Sequence, residues 1–154
     1  MRSIELNLFI NCPRGEVYDQ LAQPINMIGL QPLLTTIDIL KEQRNTEGVQ
    51  LRPFYMVETY WLLGLPVFRT RVYTVISLTR PGDGLEIRMY RNPGIILAHL
   101  FEFRSIADEE ERTHLVQKIQ YEKGTILLEN LVFEQAVKAQ RALLTNLKVR
   151  LEKN

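Results

Sequence analysis

The chain has 154 residues, of which 45% are hydrophobic and 24% charged, a composition typical of a single soluble globular domain. A domain of this length buries roughly 70% of its unfolded surface, so its core needs neither disulfides nor a bound metal. The 19 basic and 18 acidic side chains leave a formal charge of +1, which argues against nucleic-acid binding through bulk charge. We therefore expect one domain over residues 1–154, with no nucleic-acid partner.

The first residues and the single cysteine favour a cytoplasmic protein. Ile4, Leu6, Leu8 and Ile10 alternate with polar residues, which predicts a strand rather than the continuous apolar stretch of a secretion signal. No stretch approaches the about 18 apolar residues of a membrane span. Cys12 cannot form an internal disulfide, which suits a reducing compartment. The expected location is the cytoplasm, without integral membrane association.

Two short helices are predicted after the first strand. Pro13 suits the first helical position because it has no N–H to leave unpaired, and Val17 and Leu21 lie on one face of the helix. Pro24 ends or kinks this helix, and a second short turn is predicted over residues 25–28.

From residue 34 onward the hydrophobic pattern has a period of two, which predicts strands. Turns rich in Gly, Pro, Asn and Asp separate these strands, and connections this short join antiparallel neighbours. The middle of the chain is therefore expected to form an antiparallel meander. The predicted strands are Thr35–Glu42, Val49–Leu63, Val67–Thr79, Leu85–Arg91, Ile95–Ala107 and Arg112–Glu122.

Beyond Gly124 the pattern becomes helical. Leu128, Val132, Leu143 and Leu147 recur at helical spacing, with charged residues elsewhere on the wheel. This spacing predicts one helix of nearly thirty residues. A helix of that length needs an apolar surface to lie on, and the meander provides it.

Two segments resemble the START-like (SRPBCC) superfamily, which includes pollen-allergen-like proteins and polyketide cyclases/dehydrases. Ile10–Leu21 (INCPRGEVYDQL) resembles its opening segment, and Leu144–Glu152 (LTNLKVRLE) resembles its closing helix. The order of the elements matches over the whole chain. The resemblance implies an α+β helix-grip fold. In this fold a curved antiparallel sheet of about seven strands wraps around the long C-terminal helix and encloses a cavity for an apolar molecule.

Pairing across the short turns predicts which side chains face this cavity. If Leu63 pairs with Pro66 and a three-residue turn spans 92–94, strict alternation gives one mainly apolar inner face. That face carries a few polar side chains that could orient a ligand. With two residues of the C-terminal helix, the expected ligand-binding set is Tyr55, Val57, Thr59, Trp61, Val72, Ile87, Met89, His99, Phe101, Phe103, Gln117, Tyr121, Val132 and Ala136.

The same register places most charged residues on the outer face, as cross-strand ion pairs. Glu58, Arg69, Arg71 and Arg88 belong to this outer set. A bulge in the strand over residues 49–63 would reverse the register there and turn 55–61 outward.

One end of the meander is apolar, because successive hairpins alternate between the two ends of the sheet. Leu63, Leu65, Pro93 and Ile95 lie at this end and are the expected mouth of the cavity. The alternative is that these tips pack on the long helix or on a second subunit, giving a homodimer.

His99 is the most informative polar residue, because it is expected inside the cavity and near Gln117. It could hydrogen-bond a ligand oxygen or act as an acid/base, and is thus the candidate catalytic residue. The alternative is a buried histidine satisfied by the backbone or by water. The spacing of His99, His114 and Cys12 does not suit a metal site, and neither a metal nor a cofactor is expected.

Three functions are compatible with these features. The first is noncatalytic binding or transport of a hydrophobic small molecule such as a lipid, a polyketide or an aromatic compound. The second is a polyketide cyclase/dehydrase-type enzyme in which His99 is the acid/base and Tyr55 or Tyr121 polarises a carbonyl. The third is a protein-interaction module that uses the apolar end of the sheet and has a cavity too small for any ligand.

Overall fold

The computed structural model describes residues 2–91 and 94–153, apart from the side chains at 60–62, 67 and 68. In chain order its elements are strand β1 (Arg2–Ile10), helix α1 (Arg14–Ala22), a 3-10 turn (Pro24–Met27), strands β2 (Leu34–Ile39), β3 (Gln43–Arg44), β4 (Gln50–Leu62), β5 (Leu65–Arg80), β6 (Gly84–Arg91), β7 (Ile95–Ile106) and β8 (Glu109–Lys123), and helix α2 (Ile126–Glu152).

Within the described part of the chain, the strands form one antiparallel sheet of eight strands. Its order is β1-β8-β7-β6-β5-β4-β2, with the short β3 paired to β4. β4 to β8 pair with their neighbours in sequence, which confirms the predicted meander. The first strand closes the far edge by pairing with β8. The α+β helix-grip architecture is confirmed, with β3 as the strand that the sequence pattern did not predict.

The two short elements after β1 follow from two prolines. Pro13 precedes the first residue of α1, and Pro24 begins the 3-10 turn. Val17 and Leu21 of α1 are fully buried in the core, as expected for the apolar face of a short amphipathic helix.

The two halves of α2 have different surroundings. Towards its C-terminal end, Leu143, Leu144 and Leu147 are buried in the core that fills the space inside the sheet. Near its start, Ile126 and Leu127 are largely exposed. The C-terminal half therefore carries most of the packing of the helix.

The register of β6, β7 and β8 agrees with the sequence prediction. Met89 pairs with Leu97, and Ile87 pairs with His99. Phe101 pairs with Gln117 on β8. All six side chains are buried, so the predicted inner face of these three strands is confirmed.

The predicted register of β4 is wrong by one residue. A β-bulge between Tyr60 and Trp61 shifts the pairing, so Met56, rather than Val57, lies opposite Val72. Because side chains alternate between faces, a one-residue shift reverses the whole strand. Phe54, Met56 and Glu58 thus face inward, and all three are buried.

The shift moves three expected ligand-binding residues to the outer face. Tyr55 lies under the exposed Arg71 guanidinium, 4.0 Å from ring centroid to cation, and Val57 pairs with Arg71. Thr59 is buried, but its Oγ1 lies 3.1 Å from Oγ1 of the exposed Thr35. The side chain of Trp61, expected beside them, lies outside the described residues.

Candidate functional site

A cavity of about 510 Å³ lies between the inner face of the sheet and α2. Ile95 and Leu97 of β7 form one wall, and Ala136, Ala139 and Ala142 of α2 form another. The alanines recur every three residues and therefore share one face of the helix. Their small side chains leave room there, and the volume lies in the range of small-molecule sites, about 300–1,000 Å³.

The cavity reaches the protein surface. Pro32, Gln135 and Lys138 line it and are themselves exposed to solvent. Val132 and Ala136, both expected in the ligand-binding set, lie in its helical wall. A molecule could therefore enter between α2 and the loop that precedes β2.

A buried ion pair gives this cavity a polar end. Nη1 of Arg91 lies 2.6 Å from Oε1 of Glu58, whose side chain is only 1% exposed. Nε2 of Gln31 donates to the other carboxylate oxygen of Glu58 at 2.7 Å. The backbone N–H of Leu33 in turn donates to Oε1 of Gln31 at 2.7 Å. Both oxygens of the buried carboxylate thus have a partner, as a buried charge requires.

A second, inner cavity of about 30 Å³ lies deeper in the core. Phe54, Met56, Ile87 and Met89 are among its apolar walls, and His99 is one of its few polar lining residues. Its volume holds one or two groups of the size of a water molecule. Gln31 lines both cavities, so its side chain forms part of the boundary between them.

His99 belongs to a buried chain of polar side chains. Its Nδ1 lies 3.3 Å from Nε2 of Gln117, which also donates to Oε1 of Gln140 at 2.8 Å. The bond to Gln140 orients the Gln117 amide with its NH2 group towards Nδ1 of His99. This orientation assigns the proton of the neutral imidazole to Nε2. That Nε2 is buried and has no hydrogen-bond partner among residues 2–91 and 94–153.

The environment of His99 keeps the imidazole neutral. Burial and, secondarily, the positive charge of Arg91 lower the pKa of His99 from 6.5 to about 3. Both effects disfavour the imidazolium, because a buried charge loses hydration and like charges repel. At neutral pH the ring is therefore a hydrogen-bonding group rather than a cation.

This pKa predicts a pH dependence of folding. An unfolded chain protonates His99 near pH 6.5 while the native state does so only near pH 3, so lowering the pH between these values favours unfolding. We expect the free energy of unfolding, from urea titrations at pH 7 and pH 5, to fall more in the wild type than in His99→Gln. His114→Gln controls for loss of a histidine. An equal pH dependence in the wild type and His99→Gln would contradict the lowered pKa.

The structure divides the expected ligand-binding residues among several places. Ile87, Met89 and His99 line the inner cavity, and Val132 and Ala136 line the outer one. The inward-facing residues that line neither cavity but are buried in the core are Val72, Phe101, Phe103, Gln117 and Tyr121. Of the expected mouth, Ile95 is buried in the outer cavity wall, Leu63 and Leu65 are largely exposed, and Pro93 lies outside the described residues.

Tyr121 shapes the turn before α2. Its hydroxyl donates to the backbone oxygen of Thr125 at 3.1 Å. Gly124 lies against it with φ +152°, and a Cβ there would come within 2.0 Å of that hydroxyl. Only glycine fits this close approach. The hydrogen bond from Tyr121 to Thr125 holds the residue that precedes α2.

Sequence reasoning missed the polar end of the outer cavity. Glu58 was assigned to the outer face, and Arg91 and Gln31 were not expected to be functional. The sequence contains one cue to this polar end. Gln31 and Pro32 directly precede the first strand of the meander, where a loop would cross the cavity. The inward position of Glu58 follows only from the bulge.

Cys12 is unsuited to nucleophilic chemistry. Burial, followed by the hydrogen bond and negative charge of Glu16, raises the pKa of the thiol to about 12. Since the thiolate is the reactive form, the thiol stays protonated and unreactive at neutral pH.

Among residues 2–91 and 94–153, no three His, Cys, Asp or Glu side chains are placed to hold a metal ion. Neither helix in these ranges combines the length and the apolar character needed to cross a membrane.

Comparisons with known proteins give matches of structure alone, since no family model and no curated protein matches the sequence. The Zhui aromatase/cyclase from a Streptomyces species aligns with a TM-score of 0.68 at 16% identity, over 97% of this chain and 94% of that one. A START superfamily protein from Mycobacterium smegmatis aligns at 0.67 and 12% identity, over 98% and 97%. Ara h 8.0201 aligns at 0.68 and 9% identity, over 99% of both chains. These matches, with the element order and register described above, show that the chain has the START-like helix-grip fold.

Proposed function

We propose that this protein binds a hydrophobic small molecule in the outer cavity. The observation that carries the proposal is a surface-connected space of about 510 Å³. Its walls are mainly apolar, the Glu58–Arg91 ion pair and Gln31 lie together in its lining, and Gln135 and Lys138 line it at the surface. A ligand that buries on the order of 300 Å² of apolar surface gains roughly 7 kcal/mol, at about 25 cal/mol per Å². The lost freedom of the ligand offsets part of this gain.

The apolar end of the sheet is proposed as a second entrance to the cavity, besides the opening between α2 and the loop that precedes β2. Leu63 at the β4–β5 tip is 95% exposed, and Leu127 at the start of α2 is 93% exposed. Arg91 and Ile95, which flank the β6–β7 turn at the same end, line the outer cavity. Exposed apolar side chains near a cavity entrance suit the transfer of an apolar molecule from another surface.

The position of His99 argues against an enzyme that uses it as acid/base. The imidazole lines the inner cavity and not the outer one. Its pKa of about 3 makes it too weak a base to take up a proton at neutral pH. One structural neighbour is an aromatase/cyclase, but at 16% identity it supports the fold and not that chemistry. A pure protein-interaction role is also disfavoured, because it predicts a cavity too small for a ligand.

Filling the outer cavity tests the proposal. Ala139→Trp places a large side chain in the cavity wall, so we expect at least tenfold weaker binding of the neutral fluorescent probe N-phenyl-1-naphthylamine. The control is Glu134→Trp, an exposed position of the same helix outside the cavity lining. Circular dichroism establishes that both variants fold. Equal probe affinity in Ala139→Trp and the wild type, or no saturable binding by the wild type, would exclude the outer cavity as the binding site.

A further inference from the structure

One of the residues that line the inner cavity, His99, carries a buried ring nitrogen that no described residue pairs with. With the Gln117 amide oriented so that its Nε2 donates to Gln140, the same NH2 group faces Nδ1 of His99, and this arrangement assigns the imidazole proton to Nε2. Nε2 is buried, and no polar atom of residues 2–91 and 94–153 accepts from it. Buried donors are normally paired, because an unpaired one loses its hydration without compensation. The donor and the cavity together could bind a small group that accepts a hydrogen bond.

The inner cavity lies next to the outer one. Gln31 lines both, and its amide is held between the carboxylate of Glu58 and the backbone N–H of Leu33. The inner cavity is therefore the space that one small end of a ligand in the outer cavity would enter on passing Gln31. With a volume of about 30 Å³, the inner cavity takes one polar atom and its immediate neighbours.

The walls restrict the chemistry of that end. Phe54, Met56, Ile87 and Met89 line the inner cavity together with His99. An ionised carboxylate would lose its hydration there, and no lysine or arginine among the lining residues could pair with it. A carbonyl oxygen needs only a donor, which the neutral imidazole supplies.

We propose that the inner cavity is a subsite for one uncharged carbonyl oxygen of the ligand, which accepts a hydrogen bond from Nε2 of His99. The inference rests on the proposed function and narrows it: the ligand class is a hydrophobic ketone or ester. The subsite gives selectivity, because a ligand of equal shape without the oxygen leaves the donor unpaired.

A matched pair of probes tests the subsite. 2-Acetylnaphthalene and 2-isopropenylnaphthalene have nearly the same shape, and only the first has a carbonyl oxygen. We expect the ratio of their affinities, ketone over alkene, to be at least fivefold higher for the wild type than for His99→Leu. His114→Leu replaces the partly exposed histidine of β8, whose ring contacts Asn7, and should keep the wild-type ratio.

A second measurement does not depend on the folding of His99→Leu. In ¹⁵N-labelled wild-type protein, the ketone should shift the Nε2–H signal of His99, and the alkene should shift it much less. Suppose that both probes bind, that they shift the Nε2–H signal equally, and that the ratio of ketone to alkene affinity is the same in the wild type and His99→Leu. The subsite is then wrong, while the proposed function stands. If neither probe binds, both are wrong.

Discussion

Replacing Arg91 with methionine is expected to lower the free energy of unfolding by about 3 kcal/mol. Removing one partner of a buried ion pair typically costs about 3–5 kcal/mol, because the remaining charge stays buried without compensation. In this protein the remaining charge is Glu58, at 1% exposure, whereas Arg91 is 21% exposed. Solvent near the guanidinium weakens the pair, so we place the effect at the lower end of that range.

Arg88 on the same strand provides the matched control. It pairs with Glu86 and Glu122 on the outer face and is one-third exposed, so Arg88→Met should cost less than about 1 kcal/mol. Adding Glu58→Gln to Arg91→Met should recover part of the lost stability, since it removes the unpaired charge. Urea unfolding of the four proteins measures these differences. Equal losses in Arg91→Met and Arg88→Met would show that Glu58 is not effectively buried.

The part of the site formed by β6, β7 and β8 could be predicted from the sequence. The turn between β6 and β7 is short, and the pairing of Met89 with Leu97 follows from its length. One face of these strands is apolar and the other carries residues such as Arg88 and Glu102. Because the two faces differ so clearly, His99 could be assigned to the inside before the structure was known.

The register of β4 could not be predicted in the same way. Phe54 and Met56 face inward, while Tyr55 and Val57, which are as apolar, face outward. Alternation therefore gives no preference between the two registers. The pairing at the tip of the β4–β5 hairpin decides which register forms. The bulge between Tyr60 and Trp61 reverses the result, and nothing in the local composition requires it.

Glu58 was missed for a related reason. A carboxylate in an amphipathic strand is normally exposed. The bulge turns Glu58 inward, and the cation that pairs with it, Arg91, is thirty-three residues away. Pairings of this range are a property of the folded sheet and leave no local pattern. The size of the cavity is equally hidden, although the alanines at 136, 139 and 142 are a cue that this face of α2 leaves space.

The second large effect is expected in the C-terminal half of α2. Leu147 is fully buried among the core residues, so Leu147→Ala removes apolar contacts and leaves a cavity. Such substitutions cost about 2–5 kcal/mol, and we expect this value from urea unfolding. Val149→Ala, at an exposed position two residues further on, should change stability by less than about 0.5 kcal/mol. Similar losses in the two variants would contradict the packing described for this half of the helix.

Polar contacts hold the same half of the helix in place. Nδ2 of Asn146 donates to the backbone oxygen of Leu30 at 2.8 Å, and Nη2 of Arg150 donates to that of Ile28 at 2.8 Å. Both contacts fix the loop that carries Gln31, and therefore one wall of the outer cavity. The middle of α2 borders the cavity through the alanines at 136, 139 and 142, and most of the buried side chains of the helix lie in its C-terminal half. This division explains how one helix can close the core firmly at one end and leave room for a ligand at the other.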